Sequence, residues 1–98
     1  MPGRKWQLKE HSAIRILSVD DHPFRREGIA AIIDNQPDMI LVSQARTAAE
    51  AIQNHREFRP DVTLIDLRLP DLNGIDAMVA IRTEAPEARI IILTTFGG

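Results

Sequence analysis

The chain has 98 residues, 44% of them hydrophobic and 27% charged, with a formal net charge of −2. That length holds one small domain at most, and the near-neutral balance gives no general attraction to nucleic acid or membrane surfaces. The absence of cysteine excludes disulfides, cysteine-based zinc sites and thiol nucleophiles, and it fits a cytoplasmic protein.

Residues 1–13 are polar, carry Arg4, Lys5 and Lys9, and lack the apolar block of a signal peptide. They read as a flexible lead-in, with Trp6 unassigned, and residues 14–98 read as the domain. Residues 14–19 form a short β-branched strand that ends on Asp20 and Asp21. Pro23 suits the first turn of a helix. Ile29, Ile32 and Ile33 recur at helical spacing, and Pro37 stops that helix. Residues 39–42 are a second apolar run. Thr47-Ala48-Ala49-Glu50 is a capping box, and Ala51, Ile52 and Phe58 give the helix behind it a buried side that Pro60 ends.

The stretch from Asp61 to Gly74 organises the rest. Its apolar run, residues 62–65, ends on Asp66, which places that carboxylate where a strand meets its loop. Pro70 and Gly74 stiffen and bend this loop, and Asn73 caps a third helix over residues 73–84, with Ile75, Met78 and Ile81 facing the core. Pro86 closes it. Residues 89–95 hold Ile90, Ile91, Ile92 and Leu93, a fourth strand apolar on both faces. The order is therefore βαβαβαβ, an α/β fold whose parallel sheet is covered on both sides.

Asp20, Asp21 and Asp66 come from the ends of two strands and converge if those strands are neighbours. Clustered carboxylates repel, and a hard divalent cation such as Mg²⁺ relieves them. Thr94 and Thr95 end the fourth strand and bring hydroxyls to the same rim. Metal, aspartate and hydroxyl together suit phosphoryl transfer to a carboxylate. The plainer alternative is that Asp20 and Asp21 cap the first helix and Asp66 merely ends a strand.

Val19-Asp20-Asp21-His22-Pro23, then Leu64-Ile65-Asp66-Leu67-Arg68-Leu69-Pro70-Asp71-Leu72-Asn73-Gly74, then Ile92-Leu93-Thr94-Thr95-Phe96, together resemble a response-regulator receiver domain. The resemblance covers residues 14–96, and His22-Pro23 with Arg26-Glu27-Gly28 is most similar to receivers that precede LuxR-type DNA-binding domains. It implies a flavodoxin-like three-layer α/β/α fold with strand order 2-1-3-4. It also implies a module of a two-component system in which Asp66 takes a phosphoryl group from a histidine kinase. Asp21 would bind Mg²⁺ directly, Asp20 largely through water, and the backbone carbonyl of Arg68 would be a further ligand. Thr94 would bind phosphoryl oxygens, and the small Thr95 would leave the site open.

The chain departs from the family pattern at its end. Receivers have five βα units and a lysine after the fifth strand, whereas the only lysines here, Lys5 and Lys9, precede the first strand. The chain thus reads as a C-terminally truncated receiver without its fifth βα unit. Its exposed fourth strand, or its helices, would favour self-association. Neither direct nucleic-acid binding nor membrane binding is expected. A self-associating fragment that does not signal is one alternative. A metal-dependent aspartyl phosphohydrolase is another, disfavoured because such enzymes often carry a second aspartate where Arg68 stands. His11, His22 and His55 read as solvated or capping, and Arg25, Arg26 and Arg56 as solvated helix faces.

Overall fold

Each proline expected to close a helix does so. The computed structural model describes residues 13–94, which form β1 (Ile14–Val19), α1 (Pro23–Asp34), β2 (Met39–Ala45), α2 (Ala48–Phe58), β3 (Val62–Asp66), α3 (Gly74–Glu84) and β4 (Ile90–Leu93). The lead-in up to Ser12, with Trp6 and His11, and Thr95 and Phe96 lie outside the described residues.

All strand pairs are parallel, and the order is β2-β1-β3-β4 as expected. The chain steps from β1 to β2 in one direction and from β2 through β3 to β4 in the other. Right-handed crossovers then put α1 on one face of the sheet and α2 and α3 on the opposite face. The two middle strands, β1 and β3, pair Val19 with Ile65, so their carboxyl ends lie side by side. β2 is longer than its apolar run because Ser43 and Gln44 continue the pairing with β1. A bulge at Val42 accommodates this, since Ile16 pairs with Leu41 and Leu17 with Ser43.

The main core lies between the sheet and α2 and α3. It contains Leu17, Val19, Ala45, Ala48, Ala51, Ile65, Ala77 and Ile81, with Ile52, Leu69, Ala88, Ile90 and Ile92 packed against it. Two helix faces differ from expectation. In α3 the buried residues are Gly74, Ala77 and Ile81, while Met78 is half-buried and Ile75 is exposed. In α1 Ile33 is buried and Ile29 half-buried, but Ile32 is exposed. Small residues bring α3 close to the sheet and leave no room for a larger face there.

The caps form as the residues dictate. Thr47 Oγ1 accepts from the Glu50 backbone N–H at 3.1 Å, and the Glu50 carboxylate accepts from the Arg46 N–H at 3.0 Å. Asn73 Oδ1 accepts from the Asp76 N–H at 2.9 Å. Among the described residues, no helix is long and apolar enough to cross a membrane.

Candidate functional site at the carboxyl edge of the sheet

Asp20 follows β1 and Asp66 ends β3, so the pairing of those strands sets the two carboxylates beside each other. Both are nearly inaccessible, at 1% and 3% exposure. The Asp20 backbone N–H donates to the Ala45 carbonyl at 3.0 Å, which ties the start of the β1–α1 loop to β2. The Leu67 N–H donates to the Leu93 carbonyl at 3.0 Å and holds the other loop against β4.

Buried carboxylates need partners, and here the partner is Arg25. Its Nε donates to Asp20 Oδ2 at 2.6 Å, and its Nη2 donates to Asp66 Oδ2 at 2.7 Å and to Asp20 Oδ1 at 3.3 Å. Asp20 Oδ1 also accepts from the His22 backbone N–H at 2.8 Å, and Asp66 Oδ1 accepts from the Arg68 N–H at 3.3 Å. Arg25 Nη2 is 2.6 Å from His22 Nδ1. Guanidinium can only donate, so Nδ1 is the acceptor there and the imidazole proton sits on Nε2. The 3.2 Å approach of Nδ1 to Asp20 Oδ1 is then proximity rather than a hydrogen bond.

Burial pushes the Asp20 carboxyl up, but the Arg25 hydrogen bond, the hydrogen bond from the His22 backbone N–H and the Arg25 charge outweigh it, holding the group below the usual carboxylate value. The same hydrogen bond to Asp20, opposed by burial and helped by the charges of Asp20 and Asp66, raises Arg25 above its ordinary value.

Oxygens of Asp20 and Asp66 and a ring nitrogen of His22 lie within 4.8 Å of one another. Asp21 is exposed on the adjoining loop, outside this close group. Arg68 and Pro70 are exposed, and Gly74 is buried under the end of β3. Thr94 is exposed at the rim, one residue past Leu93, the β4 partner of Asp66. Thr95 lies outside the described residues.

One expectation needs correction. Arg25 is not on a solvated helix face, because its side chain is 25% exposed and closes over both acids. His22, its side chain 58% exposed as expected of a solvated histidine, occupies the N-cap position of α1, makes no side-chain cap hydrogen bond and turns its Nδ1 toward the cluster. The motif contained a further positioning residue that went unrecognised. Asp71 accepts from the N–H groups of Ala48 at 2.8 Å, Ala49 at 3.0 Å and Leu72 at 3.0 Å, which fastens the β3–α3 loop to the start of α2. Away from these acids, a groove of about 590 Å³ is lined by residues including Ile52, His55, Arg56, Arg59, Ile81 and Glu84 of α2, α3 and their ends.

Residues 16–98 match the family described as response regulator receiver domain. The response regulator protein VraR of Staphylococcus epidermidis is 34% identical over 84 residues, which cover 86% of this chain and 40% of that protein. The protein-glutamate methylesterase/protein-glutamine glutaminase of Thermotoga maritima is 43% identical over 82 residues, 84% of this chain and 24% of that protein. A crystal structure of a LuxR-family two-component response regulator from Aurantimonas sp. SI85-9A1 is similar with a TM-score of 0.83 at 42% identity, covering 89% of this chain and 62% of that one. The chain therefore spans well under half the length of these two curated relatives.

Proposed function

The chain belongs to the response regulator receiver domain family, and on that premise we propose that Asp66 is its phosphoacceptor, taking a phosphoryl group from a phosphohistidine of a histidine kinase. The observation that carries this reading is the placement of Asp66. It ends β3 at the carboxyl edge of the sheet, 3% exposed, beside a second buried carboxylate on the neighbouring strand. A nucleophilic carboxylate next to an acidic neighbour needs a cation to bring a phosphoryl group near.

In the proposed reaction one Asp66 oxygen forms the O–P bond as the P–N bond to the donor imidazole breaks. The electron pair stays on the imidazole nitrogen. Attack of water on phosphorus later returns the free carboxylate and inorganic phosphate.

The donor set fits Mg²⁺, since hard carboxylate and carbonyl oxygens suit that ion better than the lone imidazole of His22. Asp20 and Asp66 would hold it from the pocket floor, with Asp21 from the exposed rim and the backbone carbonyl of Arg68 from the loop. Bound there, Mg²⁺ would neutralise charge on the phosphoryl oxygens. Thr94, exposed one residue past β4, would supply a hydroxyl to those oxygens, and the small Thr95 would leave the site open.

The test is intact-mass analysis after incubation with Mg²⁺ and acetyl phosphate. A single phosphoryl increment is expected on the chain and is absent in Asp66→Asn. Labelling that persists in Asp66→Asn, or a folded chain that never labels, would refute the assignment.

A further inference from the structure

We propose that Arg25 is a resident counter-ion of the acidic pocket, which competes with the divalent cation for Asp20 and Asp66 and thereby sets the cation affinity of the site. This rests on the reading of the pocket as a Mg²⁺ and phosphoryl site, and it assigns a role to a residue outside that reading.

Position comes first. Arg25 is the third residue of α1, and side chains on a helix tilt toward its N-terminus. From the first turn that direction leads back across the ends of β1 and β3, where the carboxylates lie. The guanidinium fork then reaches both acids at once, which a point charge cannot do.

Occupancy follows from the contacts. The two buried acids offer four oxygens, and Arg25 engages three of them, Asp20 Oδ1, Asp20 Oδ2 and Asp66 Oδ2. The fourth, Asp66 Oδ1, accepts from the Arg68 backbone. Mg²⁺ demands oxygen ligands at about 2.1 Å in near-octahedral geometry. The oxygens it needs here are already directed at another cation. Guanidinium cannot vacate the pocket by losing a proton, so it must move. The side chain is 25% exposed and next to solvent, which gives it somewhere to go. His22 Nδ1, accepting from the same Nη2, holds the guanidinium in place until it does.

The experiment compares Mg²⁺ titrations of the 98-residue chain with those of Arg25→Met and Arg25→Lys, followed by amide NMR. Charge-assisted hydrogen bonds of this kind imply that Arg25→Met binds Mg²⁺ roughly tenfold tighter or more. Arg25→Lys, keeping a charge without the fork, falls between. In EDTA, Arg25→Met unfolds at a lower temperature than the unsubstituted chain, and the gap narrows as Mg²⁺ is added. A merely structural arginine would leave Mg²⁺ affinity unchanged or weakened on removal, and either result in a folded variant overturns the proposal. If Arg25→Met fails to fold, Arg25→Lys decides, with unchanged affinity counting against the idea. No Mg²⁺ binding by any of the three chains overturns both this proposal and the pocket reading beneath it. Tighter Mg²⁺ binding without phosphoryl labelling of Asp66 leaves Arg25 in its role and removes the phosphoacceptor assignment alone.

Discussion

Gly74 lies so close to Asp66 that a Cβ added to it would overlap the Asp66 backbone carbonyl oxygen and come within 3.0 Å of Ile65 Cγ2. Its own N–H donates to the Leu67 carbonyl at 2.7 Å, so the loop after β3 closes back onto the strand that carries the acid. The requirement here is space, and the obstacle is backbone that no rotamer change can clear. Gly74→Ala therefore forces α3 away from β3. The expected loss is about 1–3 kcal/mol, the usual penalty of overpacking, together with slower labelling of Asp66. Urea denaturation measures the first, and an unchanged midpoint would show that the contact yields freely.

Asp71 ties the same loop to a different helix. Its carboxylate accepts from the first two N–H groups of α2, where a negative charge also meets the positive end of the helix. The Ala48 N–H lowers its pKa most; burial opposes this, and the amides of Ala49, Asp71 and Leu72 add to the lowering. The folded value thus lies below the ordinary 3.8. Stabilisation from Asp71 is fully present above that ordinary value and is lost as pH falls through the folded one. Asp71→Asn should cost roughly 1 kcal/mol at neutral pH, as for loss of a capping anion. The two proteins should converge in acid. A gap that persists at the lowest pH at which both fold would sink the ionic account.

The elements and strand order were legible because prolines and β-branched runs punctuate the chain. Pro37, Pro60 and Pro86 each stop a helix, and the four apolar runs leave few right-handed topologies. The core face of α3 was not legible. Gly74 and Ala77 carry little hydrophobic signal, so periodicity pointed to Ile75, which close packing leaves 47% exposed. The aspartates could be read from their places at strand ends. Arg25 could not, since a charged residue in a first helical turn is ordinarily solvated. What draws it in is the pairing of β1 with β3, which buries two negative charges within reach of its side chain.

Arg59 is the one non-glycine residue with positive φ among those described, at φ 45° and ψ 63°. It ends α2 by donating its N–H to the His55 carbonyl at 2.9 Å, and its own carbonyl accepts from Arg15 Nη1 at 2.9 Å. Both contacts use the Arg59 backbone, so the side chain can be removed without losing either. Left-handed backbone strains a residue with a Cβ, and glycine relieves it at some entropic cost in the unfolded chain. Relief of a left-handed cost of roughly 1–2 kcal/mol, offset by a glycine entropy cost of roughly 0.5–1 kcal/mol, makes Arg59→Gly stabilising by about 0.5–1 kcal/mol. Thermal denaturation should show a raised midpoint. A lowered one would mean that the Arg59 side chain contributes more than the strain removes.

The last prediction concerns β4. Among the described residues it pairs only with β3, and Ile91, at 51% exposure, makes its outer stretch apolar. An apolar edge strand invites pairing with a second copy, and a charge on such a strand opposes it. The 98-residue chain should self-associate with rising concentration, and Ile91→Lys should shift it toward monomer while Asp66 still labels. Size-exclusion chromatography with light scattering reads both proteins. A monomer at micromolar concentration without the substitution would remove β4 as an association edge. Association that survives Ile91→Lys would move the contact elsewhere, with the exposed Ile75 and Val79 on α3 the next apolar pair to substitute.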